Sequence, residues 1–195
     1  MLNTHFKIAY LILFLITFIV RKVFTAQNKK QDYVVQRKSP GDIALLILDG
    51  IGMLIPLVYV FSDFLQIADY ARPDWIGWVG VVLFVDAIIL LYLSHAHLGK
   101  NWSPVLGIQK DQQLITEGIY QYIRHPMYAA HLLWAIAQIM ILPNWIAGFS
   151  FIVAMVPHYL LRVGKEENMM LDQFGEEYAS YMKKTGRIIP KLGGK

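Results

Sequence analysis

Three observations predict an all-α polytopic membrane protein. Hydrophobic residues make up 56% of the 195, and the mean hydropathy is +0.42, well above what a soluble domain of this size holds. Charged residues amount to only 16% and gather between long apolar runs. Five such runs approach the ~20 residues that a helical crossing needs.

The first expected span is Phe6–Val23, with Thr17 the polar residue of its apolar stretch. With neither a basic leader nor a small-residue cleavage site, it reads as a retained span rather than a signal peptide. The second, Asp42–Phe61, is interrupted by Asp49, Gly50, Gly52 and Pro56, and the third, Trp75–Leu93, contains Asp86. Met127–Leu142 and Trp145–Leu161 are separated only by Pro143 and Asn144, which predicts a tight antiparallel helical hairpin. Both are short for a crossing, a mismatch that tilt and local thinning accommodate. Beyond them, Lys165–Lys184 is too polar to span. Met170, Phe174, Tyr178 and Tyr181 recur at helical spacing, so an amphipathic helix is expected over the membrane face, bent at Gly175. Two regions follow: 1–97 with three membrane helices, and 98–195 with a cytoplasmic cofactor loop, the hairpin and the tail. No internal repeat or low-complexity segment stands out.

Charge orients the chain. Arg21, Lys22, Lys29, Lys30, Arg37 and Lys38 face one acid, Asp32, between the first two spans. Asp63, Asp69 and Asp74 face Arg72 between the next two. The positive-inside rule then puts the N-terminus outside, and residues 98–124 and the tail in the cytoplasm. The net charge of +4 comes mostly from these short loops, which makes nucleic acid a poor partner. With no cysteine, disulfides, thiolate metal sites and catalytic thiols are excluded.

Two constellations carry chemistry. In "EGIYQYIRHPMY" (117–128), Pro126 suits the first turn of a helix, because it has no N–H to leave unpaired there. An open helix N-terminus favours an anion. Arg124 adds a full charge, Tyr120 and Tyr128 add ring faces and hydroxyls, and Gly118 allows close backbone approach. The competing reading makes Arg124 and Lys100 positive-inside anchors and the tyrosines an interfacial belt. In "PHYLLRVGKEE" (157–167), Arg162 and Glu166 share a helix face one turn after His158. That pair is either a surface ion pair or, directly after a lipid-depth stretch, part of a functional site. The hairpin brings it back towards His125.

Taken together, "LITEGIYQYIRHPMY", the hairpin after it and "RVGKEENMMLDQFGEEYASYMKKTGRIIPK" resemble the isoprenylcysteine carboxyl methyltransferase family, especially its small prokaryotic and archaeal members. "LGKNWS" (98–103) fits as well. The resemblance covers residues 98–190. One departure is Ala130, where many members have Gly. The resemblance implies a membrane methyltransferase that uses S-adenosylmethionine, releases S-adenosylhomocysteine and methylates the carboxylate of a lipophilic, prenylcysteine-like acceptor. It implies that Gln112, Gln113, Leu114, Ile115, Gly118, Tyr120, His125, Pro126, Met127, Tyr128 and Glu166 hold the cofactor and that Arg162 faces the acceptor carboxylate. Charge agrees with those roles: the helix N-terminus suits the cofactor carboxylate, Glu166 its cationic groups, and the Arg162 fork a carboxylate.

Other polar residues are expected to be structural. His95 and His97, two apart on a helix, diverge, so no metal site is expected. His131 reads as a core histidine, Asp49 and Asp86 as interhelical hydrogen-bond partners, and Gly50 and Gly52 as packing positions. The alternatives are a phospholipid N-methyltransferase, a nicotinamide-dependent membrane reductase and a non-catalytic membrane module. An arginine beside the acceptor disfavours an amine, and the short chain disfavours the reductases. Partners are the bilayer and the lipophilic carboxylate.

Overall fold

The computed structural model describes residues 4–27, 33–36, 39–102, 107–110 and 112–191. The loop charges Lys29, Lys30, Asp32, Arg37 and Lys38, and Ser103 of "LGKNWS", lie outside these. Five helices carry the fold: α1 (Thr4–Gln27), α2 (Pro40–Phe61), α3 (Asp74–Leu98), α4 (Pro126–Ile141) and α5 (Ser150–Lys184). Three of them, α1 to α3, are long and apolar enough to cross a bilayer, whereas α4 is shorter. Their outward faces are apolar, as at Ile12, Phe18, Ile47, Leu54, Val82 and Ile89. No water-facing helix carries such a stripe at bilayer length. The protein is an integral, multi-pass membrane protein.

Small residues set the helix contacts. A Cβ on Gly80 would lie 2.7 Å from Met140 of α4. One on Gly52 would lie 2.9 Å from Ala154 of α5, where Ser150 Oγ also donates to the Gly52 carbonyl at 2.7 Å. So α3 packs on α4, α2 on α5, and α1 on α3 and α4, while α1 and α2 barely touch. The core between them is aromatic: Tyr10, Phe84, Trp134 and Phe151 are buried and in ring contact in sequence.

At one end of the bundle the α2–α3 connection meets the α4–α5 turn. Asn144 Nδ2 donates to the Leu65 carbonyl (2.6 Å) and Asp69 (2.7 Å), and its Oδ1 accepts from the Ile146 and Ala147 N–H groups. At the other end β1 (Tyr33–Gln36), from the α1–α2 connection, pairs antiparallel with β2 (Gly107–Gln109), which follows α3.

Five expectations change. The hairpin turn is not Pro143-Asn144 alone: α4 ends at Ile141 and α5 begins at Ser150, because Asn144 and Gln138 organise the whole stretch between them. The tail does not start as a new helix at Lys165: α5 runs on through it as far as Gly175, whose non-helical dihedral angles (φ 53°, ψ -126°) kink the chain before the last helical turns. Its buried Met169, Tyr178 and Tyr181 face the protein. Arg21 and Lys22, counted above with the basic loop, lie within α1. Gly50 has no neighbour within packing distance, unlike Gly52, and Asp86 is exposed rather than bonded between helices.

Candidate active site

The segment before α4 is fixed turn by turn. Gly118, at φ 61°, opens a short 3-10 turn (Gly118–Gln121), and a Cβ there would lie 2.6 Å from the His97 ring. The next-but-one residue, Tyr120, is buried. Its hydroxyl donates to the Ser94 carbonyl (3.3 Å) and its own carbonyl accepts from Tyr181 (2.6 Å). Burial, with Tyr181 and Glu166 nearby, pushes the Tyr120 phenol up, so it stays a donor. Ile123 then bridges to Gly186, and the N–H groups of Arg124 and His125 donate to the carbonyls of Gly186 and Arg187, both at 2.8 Å. The tail is thus stitched to the motif. Pro126 starts α4, and the His125 side chain does not cap it, which leaves an open helix N-terminus.

Glu167, not singled out by the sequence, ties this together. Its Oε1 accepts from Arg124 Nε (3.0 Å) and Nη2 (2.9 Å), and lies 3.3 Å from His125 Nε2. Its Oε2 accepts from Arg187 Nε (3.0 Å) and Nη2 (2.6 Å). Burial alone would raise this carboxyl; the hydrogen bonds from His125, Arg187 and Arg124 outweigh it and hold the group at about 2. Arg124 also donates to the carbonyls of Met182 (3.2 Å) and Thr185. Its guanidinium is spent inside the protein.

Glu166 makes a different set. Its Oε1 accepts from Tyr128 Oη (2.8 Å) and Arg162 Nε (2.9 Å), and its Oε2 lies 3.8 Å from His125 Nδ1. His125 therefore stands between the two glutamates.

Tyr120, Arg124, His125, Tyr128, Arg162 and Glu166 border one cavity of about 410 Å³, within the range of small-molecule sites; Glu167 and Arg187 do not line it. Of the residues singled out from the sequence, Gln112 to Ile115, Tyr120, His125, Pro126, Met127, Tyr128, Arg162 and Glu166 line it, and Gly118 does not. Gly118 instead backs the wall by its close approach to His97. Asn101 accepts from the Gln113 N–H at 2.8 Å, and Gln112 Nε2 lies 3.9 Å from Met170 Sδ. His95 and His97 do diverge: the first is buried, the second exposed.

Part of the wall is apolar, from Leu46 and Met53 of α2 and Phe151 and Met155 of α5. Set into it is one ionisable side chain from each helix: Arg21, Asp49, His95, His131 and His158. His158 Nδ1 pairs with Asp49, and Arg21 with His131. Asp49, His131 and His158 each stand as an ionisable group inside an apolar run, whereas Arg21 and His95 lie at or beyond the ends of their apolar runs, which hid the convergence.

The family model described as the isoprenylcysteine carboxyl methyltransferase (ICMT) family matches residues 78–172. Over this stretch, just under half of its length, the chain is similar to that family. The match takes in all but the first turn of α3, the motif, the hairpin, Arg162 and both glutamates. Among the family's proteins, Protein-S-isoprenylcysteine O-methyltransferase B of Arabidopsis thaliana is 25% identical over 143 residues, 72% of this chain and 73% of that one. The Protein-S-isoprenylcysteine O-methyltransferase of Dictyostelium discoideum is 32% identical over 117 residues, 59% of this chain and 49% of that one. That of Schizosaccharomyces pombe is 33% identical over 96 residues, 48% and 41%. The chain thus spans about half or less of the latter two. The solved eukaryotic intramembrane Ras methyltransferase ICMT shares the fold, with a TM-score of 0.57 at 23% identity over 83% of this chain and 56% of that one.

Proposed function

We propose that this chain transfers a methyl group from S-adenosylmethionine to the carboxylate of a lipophilic, prenylcysteine-like acceptor at the membrane. The observation that carries the reading is a cavity with two unlike kinds of lining: the motif residues beside an open helix N-terminus, and apolar side chains of α2 and α5.

The lining suits the cofactor. The α4 N-terminus favours its carboxylate, Glu166 favours its cationic groups, and Met169, Met170 and Tyr178 offer apolar and aromatic contact for its base. When bound, it supplies the methyl group, which passes from sulfonium sulfur to carboxylate oxygen and leaves a neutral thioether and a neutral ester. The chain's residues then have three tasks. Tyr128 and Arg162 hold Glu166 in place from two sides. Arg162, whose Nε is spent on Glu166, turns its remaining N–H donors to orienting the acceptor carboxylate. The apolar wall keeps water away, which favours a step that annihilates charge. No general base is needed, because the attacking oxygen carries no proton. An arginine at this point opposes a cationic or amine acceptor.

In this reading all five helices cross the bilayer, the N-terminus lies outside, and the cavity mouth and tail face the cytoplasm. Support comes from the α4–α5 turn meeting the α2–α3 connection at the far end, and from the basic residues around α1–α2. The seam where α1 and α2 barely touch offers sideways entry for a lipid tail. The test is calorimetry of the detergent-purified chain with S-adenosylhomocysteine, followed by methyl transfer from labelled S-adenosylmethionine to N-acetyl-S-farnesylcysteine. Binding and base-labile ester product are expected; absence of cofactor binding would sink the reading.

A further inference from the structure

Arg162 is balanced in charge; Arg21 is not. Arg162 pairs with Glu166 at 2.9 Å. Arg21, mostly buried and lining the same cavity, meets only an imidazole: its Nη1 lies 2.6 Å from His131 Nε2. His131 Nδ1 lies 2.6 Å from the Met127 carbonyl, which can only accept, so Nδ1 carries the proton and Nε2 accepts from Arg21. That histidine is neutral and leaves the guanidinium charge whole. Among the described residues no carboxylate lies within ion-pair distance of Arg21. The acid whose field reaches it, Asp49, is engaged by His158. Beside it His95, 2% exposed, stacks on Phe24 of α1 and has no hydrogen-bond partner at either ring nitrogen among the described residues.

A desolvated cation without a counter-ion is costly. A buried imidazole with two idle nitrogens adds to that cost. Both border the cavity, and both are relieved by one anionic ligand.

We propose that Arg21, propped by His131 and flanked by His95, is a second anion-binding position of the cavity and binds the carboxylate of the lipophilic acceptor from the α1 side. The inference rests on the methyltransferase reading for the identity of the acceptor, but not for the existence of the anion site. Arg162 and Arg21 then receive the carboxylate from different helices. An acceptor lacking the negative charge loses the second contact.

The experiment compares N-acetyl-S-farnesylcysteine with its methyl ester, which keeps the tail and loses the charge. Binding to the full chain in detergent is read by tryptophan fluorescence without cofactor. The native protein is expected to prefer the acid by about tenfold or more, and Arg21→Gln to erase most of that preference. In turnover, Arg21→Gln is expected to raise KM for the acid by roughly thirtyfold, with S-adenosylhomocysteine affinity within about threefold of native. A native protein with no preference for the acid, or an Arg21→Gln variant with preference and KM unchanged, overturns the proposal. If Arg21→Gln does not fold, Arg21→Lys decides. It keeps the charge but loses the fork, so a KM raised about fivefold or more supports the site and an unchanged KM overturns it. Absence of cofactor binding in the native chain would defeat the methyltransferase reading and leave the acid-against-ester comparison standing.

Discussion

Arg124 places both Nε and Nη2 on a single oxygen of Glu167, at 3.0 and 2.9 Å, across 43 residues of chain. The contact locks the start of α4 to the middle of α5, and Arg187 on the other oxygen adds the tail. The two ends of the hairpin are thereby held together at the cavity mouth.

Removing Glu167 leaves the buried Arg124 guanidinium without its carboxylate, while Arg187, half-exposed, turns to solvent. Glu167→Ala is expected to cost on the order of 3 kcal/mol and to lower the thermal midpoint clearly in a detergent melt. Loss of S-adenosylhomocysteine affinity should accompany it, because His125 loses one of its two glutamates.

The same carboxyl sets an acid limit. It is held at about 2, against an ordinary value of 4.5. A depressed carboxyl stabilises the fold fully above 4.5 and loses that contribution as pH falls towards 2. A melt series over this window should show a steeper acid decline for the native chain than for Glu167→Gln.

Arg162→Ala is expected to lower kcat/KM for the acceptor by about a hundredfold or more while leaving cofactor binding mostly intact. Calorimetry and steady-state kinetics on the same preparation separate the two. A variant that stays active would remove Arg162 from the acceptor site.

Gly118→Ala meets two obstacles, a positive φ and the His97 ring. The backbone part costs about 1 kcal/mol. Pairing it with His97→Ala should recover the steric part of the loss in melting temperature and not the backbone part.

Asn144→Ala leaves two N–H donors, of Ile146 and Ala147, and two acceptors, the Leu65 carbonyl and Asp69, without their partner at the far end of the bundle. A loss of about 2 kcal/mol is expected, with cofactor affinity unchanged in samples kept below the melt.

The first three helices and the motif were legible because apolar length and Pro126 are local signals. Arg162 and Glu166 were legible because a four-residue spacing on a helix is a contact in itself. Glu167 was not: its partners Arg124 and Arg187 lie 43 and 20 residues away, and nothing local distinguishes it from the neighbouring Glu166. Arg21 looked like loop charge because the apolar run stops just before it, yet the helix continues to Gln27. The extent of α5 was hidden for the opposite reason. Its composition changes near Arg162 from apolar to charged, and a change of solvent was taken for a change of element.

The part of α5 that precedes the break at Gly175 has a mechanical consequence. Leu160, exposed on its apolar half, sits two residues from Arg162 and six from Glu166 on one stiff rod. A bilayer thin or thick enough to tilt α5 displaces the arginine and the glutamate as a unit relative to α4. Under the proposed function, in which α5 crosses the bilayer and Arg162 and Glu166 flank the transferred methyl, hydrocarbon thickness is felt at the transfer geometry, and lipid chain length becomes a tuning variable as well as a solvent property.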